Sequence, residues 1–269
     1  MTPSPPAAEP SLRREALRWL LCADVHAKAR GVRDTPPGLP AGADAVIAEP
    51  PGIPGRPARP RLVPHTQLKP RSVHNPQGRA ALLHALAHIE LNAIDLACDI
   101  VWRFAGLPDD FYRQWWGVAR DEALHFELLR DHLATLGHGY GDFDAHDGLW
   151  QMAERTRHDL LARLALVPRT LEARGLDASP AVKAKLLAAG DARGGEIIDL
   201  ILRDEIGHVA LGNHWFRKSC AQRGLDPAVT AAALAREHGA PRPRGPFNLA
   251  ARRAAGFDDD ELAALSITR

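Results

Sequence analysis

Fifteen of the 22 prolines lie within residues 1–76, and this segregation divides the chain. Proline fixes φ and lacks a backbone donor, so a segment dense in it cannot form a continuous helix or a central strand. Residues 1–10 read as a disordered tail. The apolar set Leu12, Ala16, Leu17, Leu20, Leu21 and Val25 predicts one short amphipathic helix from Ser11 to about Lys28. Residues 34–76 are expected to run extended as a strap across the domain that follows. Between 51 and 75 the strap carries Arg56, Arg59, Arg61, Lys69 and Arg71 with no acid. This is either a solvated surface or an arm for phosphate or nucleic acid.

Beyond residue 78 the pattern is helical throughout, with no strand alternation, which predicts an all-α protein. A helix from about Arg79 to Phe104 ends near Gly106-Leu107-Pro108, and a second runs from Asp109 or Asp110 to Leu136. A glycine-rich connection over 137–148 leads to a third, from about Leu149 to Arg174. Ser179-Pro180 has the chemistry of an N-cap followed by proline at the first helical position, predicting a separate short helix to Ala189. A fourth long helix spans about Glu196 to Arg223, and a last turn or two lies around Asp260 to Leu265. The predicted division is 1–78 as helix and strap, 79–223 as a four-helix bundle and 224–269 as a C-terminal extension.

The chemistry lies in acids that interrupt apolar stripes. On the first long helix Glu90 shares a face with Leu83, Leu86, Ala87, Ala93, Ile94, Ala97 and Val101, and no Lys or Arg occurs from Ala80 to Trp102. A carboxylate buried there must meet positive charge from elsewhere or be protonated. The second helix places Glu122-x-x-His125 in its stripe, and the fourth does the same with Glu205-x-x-His208. A chain with 13 histidines acquires such a pair by chance, so register carries the argument. Glu90 to Glu122 is 32 residues and Glu172 to Glu205 is 33, intervals that let antiparallel helices meet at similar heights.

One Glu on each of two helices with Glu-x-x-His on the other two is the ligand pattern of di-metal carboxylate bundles. Carboxylate oxygens with imidazoles suit two Fe ions, two Mn ions or a mixed Mn/Fe pair. The candidate ligands are therefore Glu90, Glu122, His125, Glu172, Glu205 and His208. Glu172 lies close to Gly175, where its helix is expected to end, so Glu154 and Glu196 stand as alternatives. Asp121 and Asp204 read either as partners orienting a histidine or as solvated acids. The alternative to a metal is a set of buried Glu/His pairs satisfied by arginines such as Arg120 and Arg203. His84 and His88 read either as polar-face packing or as a ligand or proton shuttle, and the tryptophans as core residues or electron-transfer groups. Tyr112, ten residues before Glu122, is a remote candidate for a radical.

These segments resemble the ferritin-like DUF455 family. The resemblance is carried by His84-Ala-Leu-Ala-His88-Ile-Glu90, Asp121-Glu-Ala-Leu-His125-Phe, Tyr140-Gly-Asp-Phe, Leu171-Glu-Ala-Arg-Gly-Leu-Asp177 and Asp204-Glu-Ile-Gly-His208-Val. Gly212-Asn-His-Trp-Phe216 and Arg253-Ala-Ala-Gly-Phe257 extend it nearly to the C-terminus. It implies a ferritin-like fold and supports Glu172, which falls inside one of these segments. By fold and ligand pattern the nearest functional analogy is the non-haem di-iron hydroxylase acting on modified tRNA.

Composition excludes other classes. The formal charge of +1 encodes no global attraction to nucleic acid or anionic lipid. Cys22, Cys98 and Cys220 support neither a disulfide framework nor a cysteine zinc site. Uninterrupted apolar runs fall far short of the roughly 20 residues that span a bilayer, and the N-terminus lacks signal-peptide character. The expectation is a cytoplasmic oxidoreductase, monooxygenase-like, with Glu122 and Glu205 bridging two metals and an unidentified electron donor. Its substrate would be a small molecule or a modified RNA, and a homodimer is an assembly open to it. The competing classes are a ferroxidase or metal-handling protein without organic substrate and a non-catalytic RNA- or protein-binding module.

Overall fold

The computed structural model describes residues 9–68 and 71–267, so most of the 1–10 tail and Lys69 of the strap lie outside the described residues. Those residues form α-helices joined by loops, with no β-strand and an isolated bridge between Leu62 and Ala145. The single N-terminal helix expected from the sequence is two. Ser11 caps α1 (Leu12–Leu20), and Asp24 accepts from the His26 and Ala27 amides to open α2 (Val25–Asp34). An aspartate side chain satisfies orphan donors well enough to start a new helix, and this one is read in sequence only once the turn at Leu21 is known. α1 packs on α3 (Pro76–Arg103) and α2 on α4 (Asp109–Thr135), and their apolar residues join the same core as the long helices.

The strap is fastened to the helices. The buried Arg13 donates to the carbonyls of Trp102, Gly42, Ala43 and Ala45. Arg61 pairs with Asp144 and Arg56 with Asp147, the Val63 amide donates to the Ala145 carbonyl, and the Ala145 amide donates to the Arg61 carbonyl. Two of the arginines that could have formed an anion-binding arm are thus held by acids of the 137–148 connection.

α3 begins ahead of the expected Arg79, because the Asn75 side chain accepts from the Gly78 amide and Pro76 occupies the first helical position. By composition and length α3 is apolar enough to cross a bilayer, yet 72% of its most apolar window is buried within the fold. The third helix departs most from expectation. It is split into α5 (Gly148–Arg155), α6 (Leu160–Leu166), a π-helical turn over Val167–Glu172, and α7 (Ala173–Ala188). Ser179-Pro180 opens no new helix. Ser179 Oγ donates to the Gly175 carbonyl, and Pro180 lies in the interior of α7. Proline there leaves the Leu176 carbonyl without its helical donor, and Asn248 Nδ2 supplies one at 3.2 Å.

α8 (Ala192–Gln222) starts four residues before the expected Glu196, capped by Asp191 on the Gly194 amide, and packs against α4, α6 and α7. The C-terminal segment holds α9 (Pro227–Glu237), which the sequence reading missed although Asp226-Pro227 is a cap followed by proline. It also holds α10 (Leu249–Ala254) and α11 (Asp259–Ile267), where only a turn or two was expected.

Candidate metal centre

α3 brings three acids into the interior: Glu90, Asp95 and Asp99. Two of them receive cations from other elements. Lys28 of α2 pairs with Asp95, and Arg163 of α6 with Arg103 pairs with Asp99. Glu90 receives none, and neither do Glu122, Glu172 or Glu205; among the described residues no Lys or Arg is paired with any of the four. Arg203 is bonded to Asp204, and Arg120 is exposed, so neither acts as the buried counter-charge of the competing reading.

The acids converge instead on imidazoles and on one another. Ligand atoms of Glu90, Glu122, His125 and Glu205 all lie within 4.8 Å of each other. His125 Nδ1 is 3.2 Å from Glu90 Oε2 and 3.3 Å from Glu122 Oε2. His208 Nδ1 faces Glu122 Oε1 at 3.0 Å and Glu205 Oε1 at 3.9 Å. Glu122 therefore stands between the two histidines, one oxygen toward each. Glu172, at the end of the π turn, faces the same cavity as Glu90 and Glu205 and feels the charges of Glu122 and Glu90, but neither it nor His208 belongs to the group of ligand atoms within 4.8 Å of one another. The π turn runs directly into α7, which continues through Gly175, so Glu172 lies mid-helix and not at the expected terminus. Glu154 is exposed and bonded to Trp150, and Glu196 is exposed and bonded to Arg193, which removes both alternatives from the cluster.

The far sides of the imidazoles meet a reciprocal pair of acids. His125 Nε2 is 3.1 Å from Asp204 Oδ2, and His208 Nε2 is 3.3 Å from Asp121 Oδ2. The acid preceding each glutamate thus reaches the histidine of the opposite helix. With Nε2–H donated to aspartate, each Nδ1 turns a lone pair toward carboxylate oxygens, and only a proton or a metal cation holds that arrangement together. Glu122 Oε1, Glu172 Oε2, Glu205 Oε2 and His208 Nδ1 are buried without a hydrogen-bond partner. Glu172 Oε2 and Glu205 Oε2 have no polar partner, and Glu122 Oε1 and His208 Nδ1, though 3.0 Å apart, do not meet in hydrogen-bonding geometry. Unsatisfied ligand atoms gathered in one cluster fit a bound cation better than a polar core, where such atoms are paired.

The remaining candidates take structural roles. His84 Nε2 accepts from the Gly141 amide, and His88 is bonded to Tyr140 Oη and the His146 carbonyl. Burial lowers both histidines to about 4, so both are neutral pegs for the 137–148 connection. Tyr112 Oη donates to the Phe104 carbonyl and accepts from the Leu107 amide, closing the α3–α4 turn.

The π turn is pressed against α8 at Gly212, where a Cβ would fall 2.5 Å from Pro168 Cβ. Gly212→Ala is expected to displace the segment that carries Glu172. Overpacking of this kind costs about 1–3 kcal/mol, read as a lower Tm together with weaker metal retention. Unchanged values of both would show that the turn is not held by this contact.

The electrostatics have a definite sign. Burial, then the charge of Glu122, raises Glu90 to about 7 and Glu172 to about 8 from an ordinary 4.5. His125 is pushed up to about 11, because bonds to Glu122 and Glu90 outweigh burial. All three hold protons that the unfolded chain releases at lower pH. The two glutamates favour the fold below about 4.5 and lose that contribution as pH rises toward 8; His125 loses its own from about 6.5 to 11. Chelator-treated protein is therefore expected to unfold at lower temperature as pH rises from 5 to 8, with a shallower slope in Glu90→Gln/Glu172→Gln. Metal must displace these protons, so the Tm increase produced by added metal should grow over the same range. A rise in the chelated protein's Tm with pH would contradict the assignment.

Fold and site together define an all-α protein with a buried carboxylate–histidine cluster that could hold a metal ion. The chain belongs to the family described as Protein of unknown function (DUF455), which it matches over residues 21–263. An uncharacterized protein of Haemophilus influenzae is 46% identical over 213 residues, covering 77% of this chain and 74% of that one. No solved structure matches the chain.

Proposed function

We propose that the protein is a ferritin-like di-metal oxidoreductase that uses dioxygen on an organic substrate, with iron, manganese or a mixed pair as its metal. The observation that carries this reading is a cavity of about 320 Å³ on which Glu90, Glu172 and Glu205 open and whose other walls are mostly aliphatic. A ferroxidase or storage protein needs a polar path for ions; an apolar chamber beside the acids suits an organic group. The binding-module reading is weakened because Arg56 and Arg61 are already paired with Asp147 and Asp144.

When bound, two such ions would supply dioxygen reduction, and a monooxygenation also consumes two electrons and two protons from an external donor. The chain's own residues have separable tasks. Glu90, Glu122, Glu172 and Glu205 would hold the ions, with Glu90, Glu172 and Glu205 reaching them from the chamber wall. His125 and His208 would offer Nδ1, with Asp204 and Asp121 fixing their tautomers. Leu86, Ala93 and Ile198 line the space beside the carboxylates, apolar walls that would disfavour water there once substrate fills it.

The test is to load purified protein anaerobically with Fe(II), measure metal per chain and then admit dioxygen. About two ions per chain and a new near-ultraviolet absorption are expected, both absent in Glu205→Ala. Neither appearing in the wild type would overturn the reading. Iron uptake far beyond two per chain would favour metal storage.

A further inference from the structure

The chamber beside the carboxylates does not stand alone. A second, wider cleft of about 1070 Å³ shares His146 and Arg174 with it as common wall. The two spaces differ in chemistry. Inside, the walls are mostly aliphatic apart from the carboxylates, and Ile89 at the chamber wall is 42% exposed, an apolar side chain left open at its edge. Outside, the cleft is lined by Arg174 of α7 and by Arg242 and Arg244 of the loop between α9 and α10, with His65 and His146. The one acid in that lining, Asp147, is paired with Arg56. Arg174, Arg242 and Arg244 are exposed, and none is paired with a carboxylate among the described residues. In a chain of net charge +1, three guanidinium groups without a carboxylate partner around one cleft mark a local positive field.

We infer that the substrate is a soluble amphiphile: an apolar hydrocarbon portion that enters the chamber, joined to a phosphate or comparable anionic head held in the outer cleft by Arg174, Arg242 and Arg244. The inference rests on the reading of the chamber as the oxidation site and adds the class of molecule that fills it. Arg174 occupies the junction, so an anion bound there would set how deep the apolar portion reaches toward the carboxylates. Guanidinium recognises phosphate oxygens in bidentate fashion, giving the head a fixed position. Burial of the apolar portion supplies affinity, and the head supplies orientation.

The experiment measures binding by calorimetry, with no turnover required, so it is independent of whether the metal chemistry is as proposed. The probes are octyl phosphate below its micellar concentration, octanol, octyltrimethylammonium and inorganic phosphate, each against the full chain. Octyl phosphate should bind at least tenfold more tightly than octanol or inorganic phosphate, and octyltrimethylammonium should not bind. Arg174→Gln and Arg242→Gln/Arg244→Gln should each weaken octyl phosphate at least fivefold and leave octanol unchanged. Ala178→Trp, an exposed position on the chamber wall, should abolish binding of both octyl ligands. Equal affinity for octyl phosphate and octanol, or indifference to the arginine substitutions, would overturn the inference. So would capture of vesicles containing phosphatidic acid without binding of the soluble phosphate, which would make the cleft a membrane contact. Metal content measured on the same samples separates the two ideas: arginine-dependent binding in protein that takes up no metal would leave the amphiphile site standing and remove the oxidoreductase.

Discussion

Glu122→Ala is expected to lower bound metal from about two ions per chain to less than one and to destabilise the metal-free protein as well. The two losses have different causes. Glu122 is fully buried and aims one oxygen at each histidine, at 3.0 Å from His208 Nδ1 and 3.3 Å from His125 Nδ1. Burial would raise its pKa, but the bonds to His125 and the charge of His208 hold it well below the usual carboxylate range. Removing it leaves two buried, proton-holding imidazoles short of their central counter-charge, a loss of about 3–5 kcal/mol for a broken buried pair. Metal saturation at a hundredfold excess over Kd contributes about another 2.7 kcal/mol, and this also disappears.

Glu205→Gln supplies the contrast. Burial and the charge of Glu122 raise Glu205 well above its ordinary value, so in the metal-free protein it is held as the neutral acid, which glutamine imitates. That variant should lose metal but keep, or exceed, the wild-type stability in chelator, with the difference growing as pH rises. Thermal unfolding of both variants with and without Fe(II) checks the pair. Equal destabilisation of the two in chelator would mean that the cluster is an ordinary polar core.

Asp99→Ala should produce the largest loss of stability away from the cluster, about 3–5 kcal/mol in denaturant unfolding. Asp99 is fully buried and offers its oxygens to Arg103 and Arg163, and Arg163 is itself 1% exposed. Without Asp99, the Arg163 guanidinium keeps bonds to the Ala153 carbonyl and Thr156 Oγ1 but has no buried counter-charge. Because Arg163 stitches the break between α5 and α6 to α3, the variant should also expose the 156–159 connection to protease. Asp99→Asn retains hydrogen-bond acceptance and should fall between. A loss below about 1 kcal/mol would show that water reaches Arg163 and screens it.

The positions of Glu90, Glu122, His125, Glu205 and His208 on inward faces were legible because a 3.6-residue period is local: the stripe and the acid that interrupts it lie within a few turns of each other. The same locality made the 32-residue interval informative. Glu172 was legible by spacing but not by helix geometry. Its place depends on a π turn seated against Gly212 of α8 and on a helix that runs on through Pro180, where Asn248, 72 residues from Leu176 in sequence, meets the carbonyl that proline leaves without a donor. The crossed bonds from Asp204 to His125 and from Asp121 to His208 were likewise invisible, since each joins separate helices.

What the sequence determined by itself is helical content and the choice of residues turned inward, because both follow from interactions within one or two turns. It also showed that α3 carries buried acids and, through most of its length, no cation of its own. Only the tertiary structure decided which of those acids are neutralised. Lys28 reaches Asp95 and Arg163 reaches Asp99 across element boundaries, while Glu90, Glu122 and Glu205 are brought together with His125, and Glu122 with His208, and none of these acids has a guanidinium or ammonium partner among the described residues. Counter-charge is a long-range property of packing, and its absence at this one cluster distinguishes a candidate metal centre from the buried ion pairs beside it.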